Sequence, residues 1–148
     1  MAQANFDTTE TLDITCREGD TFSMTITLKD SAGTGLTLVD DNYEFYMQVK
    51  KIASTGARRG SRRIETIVLQ TPTIAVNEKS DALLFESPVK DNSGNVTIEA
   101  SAEVMTAIEP GSYLYDLKYI KPSSTGLDTH KGVLTGTFTV NSQVTNIF

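Results

Sequence analysis

The sequence predicts an all-β fold, a two-sheet antiparallel β-sandwich with one short helix, in a single domain over residues 1–148. Three observations lead to this prediction. Apolar residues alternate with polar ones along most of the chain, turn sequences separate the alternating segments, and one stretch has helical character. About seven to nine strands at short, irregular spacing fit a sandwich better than a barrel.

Alternation and β-type composition mark the expected strands. They cover residues 12–16, 22–28, 36–39, 43–49, 64–70, 82–86, 96–100, 113–120 and 133–140. Residues of one parity share one face of a strand, so the apolar parity is expected in the core. These residues are Leu12, Ile14, Cys16, Phe22, Met24, Ile26, Leu28, Tyr43, Phe45, Met47, Val49, Tyr113, Tyr115, Leu117, Tyr119, Leu134, Phe138 and Val140. Gly136 stands on this face of the last strand, where a larger residue is expected.

The expected helix lies over residues 101–108. Ser101 can cap its first turn, and Val104, Met105 and Ile108 have the spacing of one helical face. Pro110 and the glycine after it end the helix before the next strand.

Three segments are expected outside the core: an N-terminal arm over residues 1–10, a basic exposed loop over 52–63 and a C-terminal tail over 141–148. Six of the 13 basic residues lie in or beside this loop, in fourteen residues without an acid. They are Lys50, Lys51, Arg58, Arg59, Arg62 and Arg63. The rest of the chain has 7 basic and 19 acidic side chains, a net charge of −12.

Two interpretations of this basic run stay open. Charge runs are usually solvated, which makes it the tip of a solvent-facing hairpin. Alternatively, the run is an arm that grips an acidic surface on a partner subunit. The sequence argues against nucleic acid as a partner, because no aromatic residue interleaves with the arginines and the whole chain carries a net charge of −6.

Composition and cysteine content indicate the cellular compartment in which the protein is expected. The single cysteine, Cys16, excludes an internal disulfide and fits assembly in a reducing cytoplasm. No apolar run is long enough to span a membrane, and the N-terminus lacks the basic and then apolar pattern of a signal peptide. We therefore expect a soluble intracellular product without an export signal or a membrane partner.

Candidate catalytic groups are few, so the sequence predicts no enzyme, no cofactor and no metal. His130 lies in an expected loop, and Cys16 lies on the apolar face of a strand, with no visible partner for either. The acids at 40 and 41 sit where turns form. The turns DSAGTG at 30–35 and KDNSGN at 90–95 lack the spacing of a calcium loop.

The order of segments resembles that of small β-sandwich proteins of tailed bacteriophages, in particular the immunoglobulin-like N-terminal domains of baseplate upper proteins and tail-fibre attachment modules. The resemblance rests on motifs with R-x-G-D-T, LKD-x-x-G, F-x-M-Q-V and PG-x-Y-x-Y-D-L character. It covers about three quarters of the chain and leaves residues 52–95 unmatched. The matching residues are Arg17, Gly19, Asp20, Thr21, Leu28, Lys29, Asp30, Gly33, Phe45, Met47, Gln48, Val49, Pro110, Gly111, Tyr113, Tyr115, Asp116, Leu117, Gly136, Phe138 and Val140.

The resemblance implies an immunoglobulin-like virion structural protein, made in the host cytoplasm, that acts as a non-enzymatic adaptor or attachment subunit of the tail or baseplate. Its expected partners are other virion proteins and further copies of itself. Since the chain ends eight residues after Val140, a free-standing subunit is expected rather than the head of a fibre. Besides the basic run, Leu114, Ile120, Ile147 and Phe148 are candidate contacts.

Two alternatives stay open. The same sandwich could serve as a capsid decoration or neck protein. A carbohydrate-binding host-recognition module is a third possibility, although such modules usually present aromatic platforms and this chain has no tryptophan.

Overall fold

The strands form two sheets that pack face to face. A computed structural model describes residues 10–54, 63–72 and 83–143. The strands are β1 (Glu10–Thr11), β2 (Ile14–Arg17), β3 (Phe22–Thr27), β4 (Glu44–Ser54), β5 (Arg63–Gln70), β6 (Leu83–Leu84), β7 (Val89–Lys90), β8 (Asn95–Ala100), β9 (Gly111–Lys121) and β10 (Thr129–Asn141), and helix α1 (Ala102–Thr106) joins β8 to β9.

Among the described residues, the larger sheet has seven strands and the smaller has three. In the larger sheet the order is β1-β10-β9-β4-β5-β6, with β2 also paired to β10, and in the smaller it is β3-β8-β7. Pairing is antiparallel except where β1 and β2 join β10 and where β6 joins β5. The predicted sandwich with one short helix is therefore confirmed, with these parallel pairs as additions.

The core contains most of the residues that alternation assigned to it. The buried set includes Ile14, Phe22, Tyr43, Phe45, Met47, Val49, Tyr113, Tyr115, Leu117, Leu134, Phe138 and Val140. Leu12 is an exception at 44% exposure, because it lies in the break between β1 and β2. Met24, Ile26 and Leu28 pack only partly against the core, since β3 is an edge strand of the smaller sheet.

An aromatic cluster joins the two sheets near the centre of this core. The ring of Phe138 on β10 lies 5.4 Å from that of Phe22 on β3 and 6.4 Å from that of Tyr115 on β9. Phe85, before β7, extends the cluster at 6.0 Å from Phe22. All these contacts have the tilted or edge-to-face geometry that aromatic rings prefer.

The break between β1 and β2 explains the glycine on the core face of β10. A Cβ atom on Gly136 would lie 2.4 Å from the carbonyl oxygen of Leu12, so no larger residue fits. That oxygen accepts a hydrogen bond from the Tyr115 hydroxyl at 2.6 Å, and the Asp13 carboxylate accepts one from the Thr137 amide at 3.1 Å. The break is thus fastened to β9 through Tyr115 and to β10 through Thr137.

Residues 36–39 do not form the expected strand. Their backbone groups bond to the turn between β7 and β8: the Leu38 amide donates to the Asp91 carbonyl at 3.2 Å, and the Val39 amide to the Asn92 side chain at 3.1 Å. Leu38 is fully buried and anchors this loop over the core. The loop and the turn therefore form one packed end of the sandwich.

The helix prediction is confirmed. The Ser101 hydroxyl accepts a hydrogen bond from the Val104 amide at 3.2 Å, which caps the first turn. Met105 and Ile108 are buried, so the helix closes the end of the core next to β9.

Two expected loops are shorter than the sequence suggested. β4 continues through Ser54 and β5 begins at Arg63, so both ends of the predicted basic loop at 52–63 are strand. His130 lies in β10 opposite Ile120 and not in a loop, because the register between β9 and β10 carries pairing as far as Thr129 and Lys121. Residues 1–9 of the predicted N-terminal arm, 55–62 of the loop and 144–148 of the tail lie outside the described residues.

Candidate functional site

Three members of the basic run, Lys50, Lys51 and Arg63, lie on a pair of strands that extends beyond β9. β4 pairs with β9 from Glu44 to Lys50. Beyond Lys50, β5 is its partner among the described strands, up to Ser54 opposite Arg63. A register shift between Val49 and Lys50 marks the point of departure. At about 3.3 Å a residue, the two-stranded part, residues 51–54 with 63–66, is about 13 Å long. We call residues 50–63 the basic hairpin.

The described part of the basic hairpin carries basic residues near its base on β4 and at its far end on β5. Lys50 is half-buried beside β9, Lys51 is exposed, and Arg63 is the first residue of β5. Arg58, Arg59, Arg62, Ile147 and Phe148 lie outside the described residues. The structure therefore brings Lys51 and Arg63 onto the two-stranded part, with Lys50 at its base beside β9.

The second group of expected contacts lies on the outer face of the larger sheet. Leu114 is exposed and pairs with Lys50, which joins this face to the base of the basic hairpin. Ile120 is half-buried between Glu44 and His130. Leu114, and not Ile120, is thus placed to contact a partner that also meets the basic hairpin.

Among the described residues, Cys16 and His130, the candidate nucleophile and base, do not form a catalytic arrangement. Cys16 is half-buried, and its thiol donates to the Thr139 carbonyl at 3.6 Å. Burial, assisted by the charge of Asp20, raises the pKa of the thiol to about 11. His130 is exposed on β10 and pairs with Ile120.

We expect Cys16 to react with iodoacetamide at pH 8 about tenfold or more slowly in the folded protein than in the urea-unfolded chain, because the raised pKa leaves little thiolate. Folding favours the protonated form of this thiol. The resulting contribution to the free energy of unfolding is therefore fully present below pH 9.0 and is lost as the pH rises towards about 11. Alkylation rates and urea titrations from pH 8 to 11 measure both effects. Equal rates in the two states would contradict the buried environment.

The aspartate carboxylates of the two acidic turns accept hydrogen bonds from backbone amides of the same turns. Asp30 accepts the amides of Ala32 and Thr34 at 2.9 and 3.0 Å. Asp91 does the same for Ser93 and Asn95, and these hydrogen bonds, led by that from Asn95, lower the pKa of its carboxyl group. Among the residues that the structure describes, no group of three or more His, Cys, Asp or Glu side chains could hold a metal ion. In the same residues, no helix has the length and hydrophobicity for a membrane crossing.

Strand order defines the class of fold. From β3 to β10 the strands follow the order of an immunoglobulin variable-type sandwich, with β3, β8 and β7 in one sheet and β10, β9, β4, β5 and β6 in the other. At the start of β9, the Tyr113 hydroxyl donates to the Glu109 carbonyl at 2.5 Å, which is the tyrosine corner of such domains. Tyr115 stands two residues later, where antibody domains carry a disulfide cysteine, and packs in the aromatic cluster. The domain is immunoglobulin-like.

Comparison with known proteins adds no family. No protein-family model matches the chain, and no curated protein matches it. Among solved structures, 39 chains match. One comes from a study of multimeric cell-adhesive interactions of VGSC beta subunits, is 15% identical and has a TM-score of 0.32 over 95% of this chain and 98% of that one.

Sequence reasoning missed the strand-paired support of the basic hairpin. Ile52 and Ile64, one in each strand, were a local signal for it, since β-branched residues favour strands. It also missed a groove between β3 and β10, for which no local signal exists because its walls come from segments far apart in the chain.

Proposed function

We propose that this protein is a non-enzymatic structural subunit of a tailed-phage virion, an adaptor or attachment subunit of the tail or baseplate that docks through the basic hairpin. The observation that carries the proposal is the pairing of β4 with β5 beyond the point where β4 leaves β9. It gives an acid-free basic segment a two-stranded support on an otherwise acidic domain. The motif resemblance to immunoglobulin-like phage modules supports the virion and tail part of the proposal.

Charge identifies the chemistry of the partner. The basic hairpin holds six basic side chains, whereas the remainder of the chain carries −12, so the segment is attracted to acidic protein surfaces. One such surface is the body of a second copy. A contact between the basic hairpin of one copy and the body of the next is heterologous, and such contacts close into rings when the rotation between copies permits.

The buried aromatic residues favour this proposal over carbohydrate recognition. Tyr43, Tyr113 and Tyr115 are buried. Tyr46 lies on the outer face of the larger sheet, and its hydroxyl donates a hydrogen bond to the Glu44 carboxylate at 2.5 Å. A sugar-binding platform needs exposed aromatic faces.

A charge reversal in the basic hairpin tests the proposal. Arg58→Glu with Arg59→Glu is expected to weaken binding to purified tails at least about tenfold in 0.1 M salt, because close interfacial charge pairs contribute strongly to affinity. The matched control is Lys118→Glu with Lys121→Glu, which makes the same change in net charge at exposed positions of β9. Size exclusion with light scattering measures the protein alone and mixed with tails or with empty heads.

Equal loss of binding in both variants would show that net charge matters and the basic hairpin does not. Migration with heads and not with tails would make the protein a capsid decoration or neck subunit. Deletion of residues 144–148, which removes Ile147 and Phe148, tests the C-terminal contact in the same assay.

A further inference from the structure

A groove lies between the two sheets, where β3 ends and β10 begins, and has a volume of about 460 Å³. Its apolar lining includes Ile26 and Val133, which are half-buried. Lys29 and Lys131, both exposed, line it from the β3 side and from the β10 side, and the acid in the lining is Glu10. Two lysines and one glutamate give the groove a net charge of +1 beside its apolar surface.

A strongly exposed leucine lies close to this groove, on the loop at residues 122–128 that joins β9 to β10. Leu127 is 93% exposed, more than any other large hydrophobic residue that the structure describes. Since it precedes Lys131 by only four residues, the chain keeps it within about 14 Å of this lining residue. Leu127 does not enter the groove of its own chain, because nearly all of its surface is exposed.

Hydrogen bonds within the loop hold its backbone in a defined conformation. The Asp128 carboxylate accepts a hydrogen bond from the Ser123 amide at 3.1 Å, and the Ser123 hydroxyl accepts one from the Thr125 amide at 3.3 Å. All residues of the loop are exposed, so Leu127 adds nothing to the core of its own domain. A loop that is ordered in advance loses less conformational entropy when it binds. The loop therefore presents an apolar side chain in a form suited to a partner.

We propose that two copies of this chain form a dimer in which the loop of each copy inserts Leu127 into the groove of the other. The apolar lining accepts the leucine, and the neighbouring Asp128 brings a carboxylate towards Lys29 and Lys131. Because the loop and the groove lie close together on each copy, one two-fold axis between the copies forms both contacts. Each dimer therefore buries two leucines that the monomer exposes.

The proposed dimer contact lies at the opposite end of β9 from the basic hairpin. Lys50, at the base of the basic hairpin, pairs with Leu114 near the start of β9, whereas the loop follows the end of β9 at Lys121. The inference is therefore independent of the proposed function. A monomer that binds tails would overturn the dimer alone, and a dimer that does not bind tails would overturn the proposed function alone.

Light scattering of the full chain at two concentrations tests for the dimer. We expect twice the 16.1 kDa of one chain at about 500 µM and the mass of one chain at about 5 µM, because small contacts bind weakly. Leu127→Lys is expected to raise the dissociation constant at least about thirtyfold, because it replaces the leucine with an ammonium group beside two lysines. Val89→Lys, at a 64% exposed position of β7, is the matched control and should dimerise like the wild type.

Disulfide cross-linking locates the contact. A mixture of Leu127→Cys and Lys29→Cys keeps one wild-type contact in each mixed pair, and the other contact brings the two introduced thiols together. Cys16 does not compete, because its thiol is half-buried and burial raises its pKa to about 11. Under mild oxidation, we expect this mixture to cross-link at least about tenfold faster than either variant alone or than Val89→Cys mixed with Lys29→Cys.

A wild-type protein that stays monomeric at the higher concentration would overturn the proposal, as would a dimer that Leu127→Lys leaves unchanged. Masses above that of a dimer would show a contact that does not close, and would overturn the two-fold arrangement. Thermal unfolding at the lower concentration checks the fold of the variant. Since Leu127 is exposed in the monomer, Leu127→Lys is expected to unfold within about 2 °C of the wild type.

Discussion

Replacement of Phe138 by alanine is expected to lower the free energy of unfolding by about 3–5 kcal/mol. Phe138 is fully buried, and its ring contacts Phe22 on the opposite sheet and Tyr115 on the neighbouring strand. The substitution removes the ring that joins both sheets, and the rigid strands around it cannot close the cavity. Urea unfolding followed by circular dichroism measures the loss.

Leu127→Ala is the control for this substitution, because Leu127 is 93% exposed and its truncation is expected to change the free energy by less than about 0.5 kcal/mol. Phe138→Leu, which keeps most of the volume, should lie between the two. A loss below about 1 kcal/mol for Phe138→Ala would contradict a core centred on this aromatic cluster.

Gly94→Ala is expected to destabilise the fold by more than about 3 kcal/mol, through two causes that can be separated. Gly94 has a φ of +87°, and a Cβ atom there would lie 2.2 Å from the Leu28 carbonyl oxygen and 3.0 Å from the Leu36 nitrogen. Both neighbours are backbone atoms, so relief requires movement of the packed loop at this end of the sandwich.

Gly33→Ala is the matched control. Gly33 has nearly the same φ, +83°, but nothing lies within 4 Å of its added Cβ atom. Its substitution should therefore show the conformational cost alone, about 1–2 kcal/mol. The difference between the two variants in thermal or urea unfolding measures the cost of the backbone contact, and equal losses would show that the loop and the turn are not in contact.

The local periodicity of the sequence was a good guide to the faces of the strands. The face of each long strand could be predicted because alternation at 43–49 and 113–119 reflects which side meets the core, a property of consecutive residues. Ser101 likewise marked the start of the helix, because a cap is a contact within one turn.

Non-local pairing could not be predicted in the same way. Residues 36–39 have strand composition, but the amides of Leu38 and Val39 donate to a turn more than fifty residues later in the chain. The parallel alignment of β2 with β10 and the register that carries His130 into a strand depend on segments that only the folded chain brings together. The same applies to the candidate sites: the basic run was visible, whereas its two-stranded support and the groove beside Glu10 required the register between strands.

The parallel pairing of β2 with β10 has a mechanical consequence. The pair runs from Ile14 beside Phe138 to Arg17 beside Asn141, so the chain enters β2 at one end of the pair and leaves β10 at the other. Tension applied between these two points pulls the strands lengthwise past each other. The hydrogen bonds that join them are then loaded in shear, all together, and not opened one after another. Resistance to force is governed by the rate of unfolding, so this pair is where the sandwich resists extension along its strands.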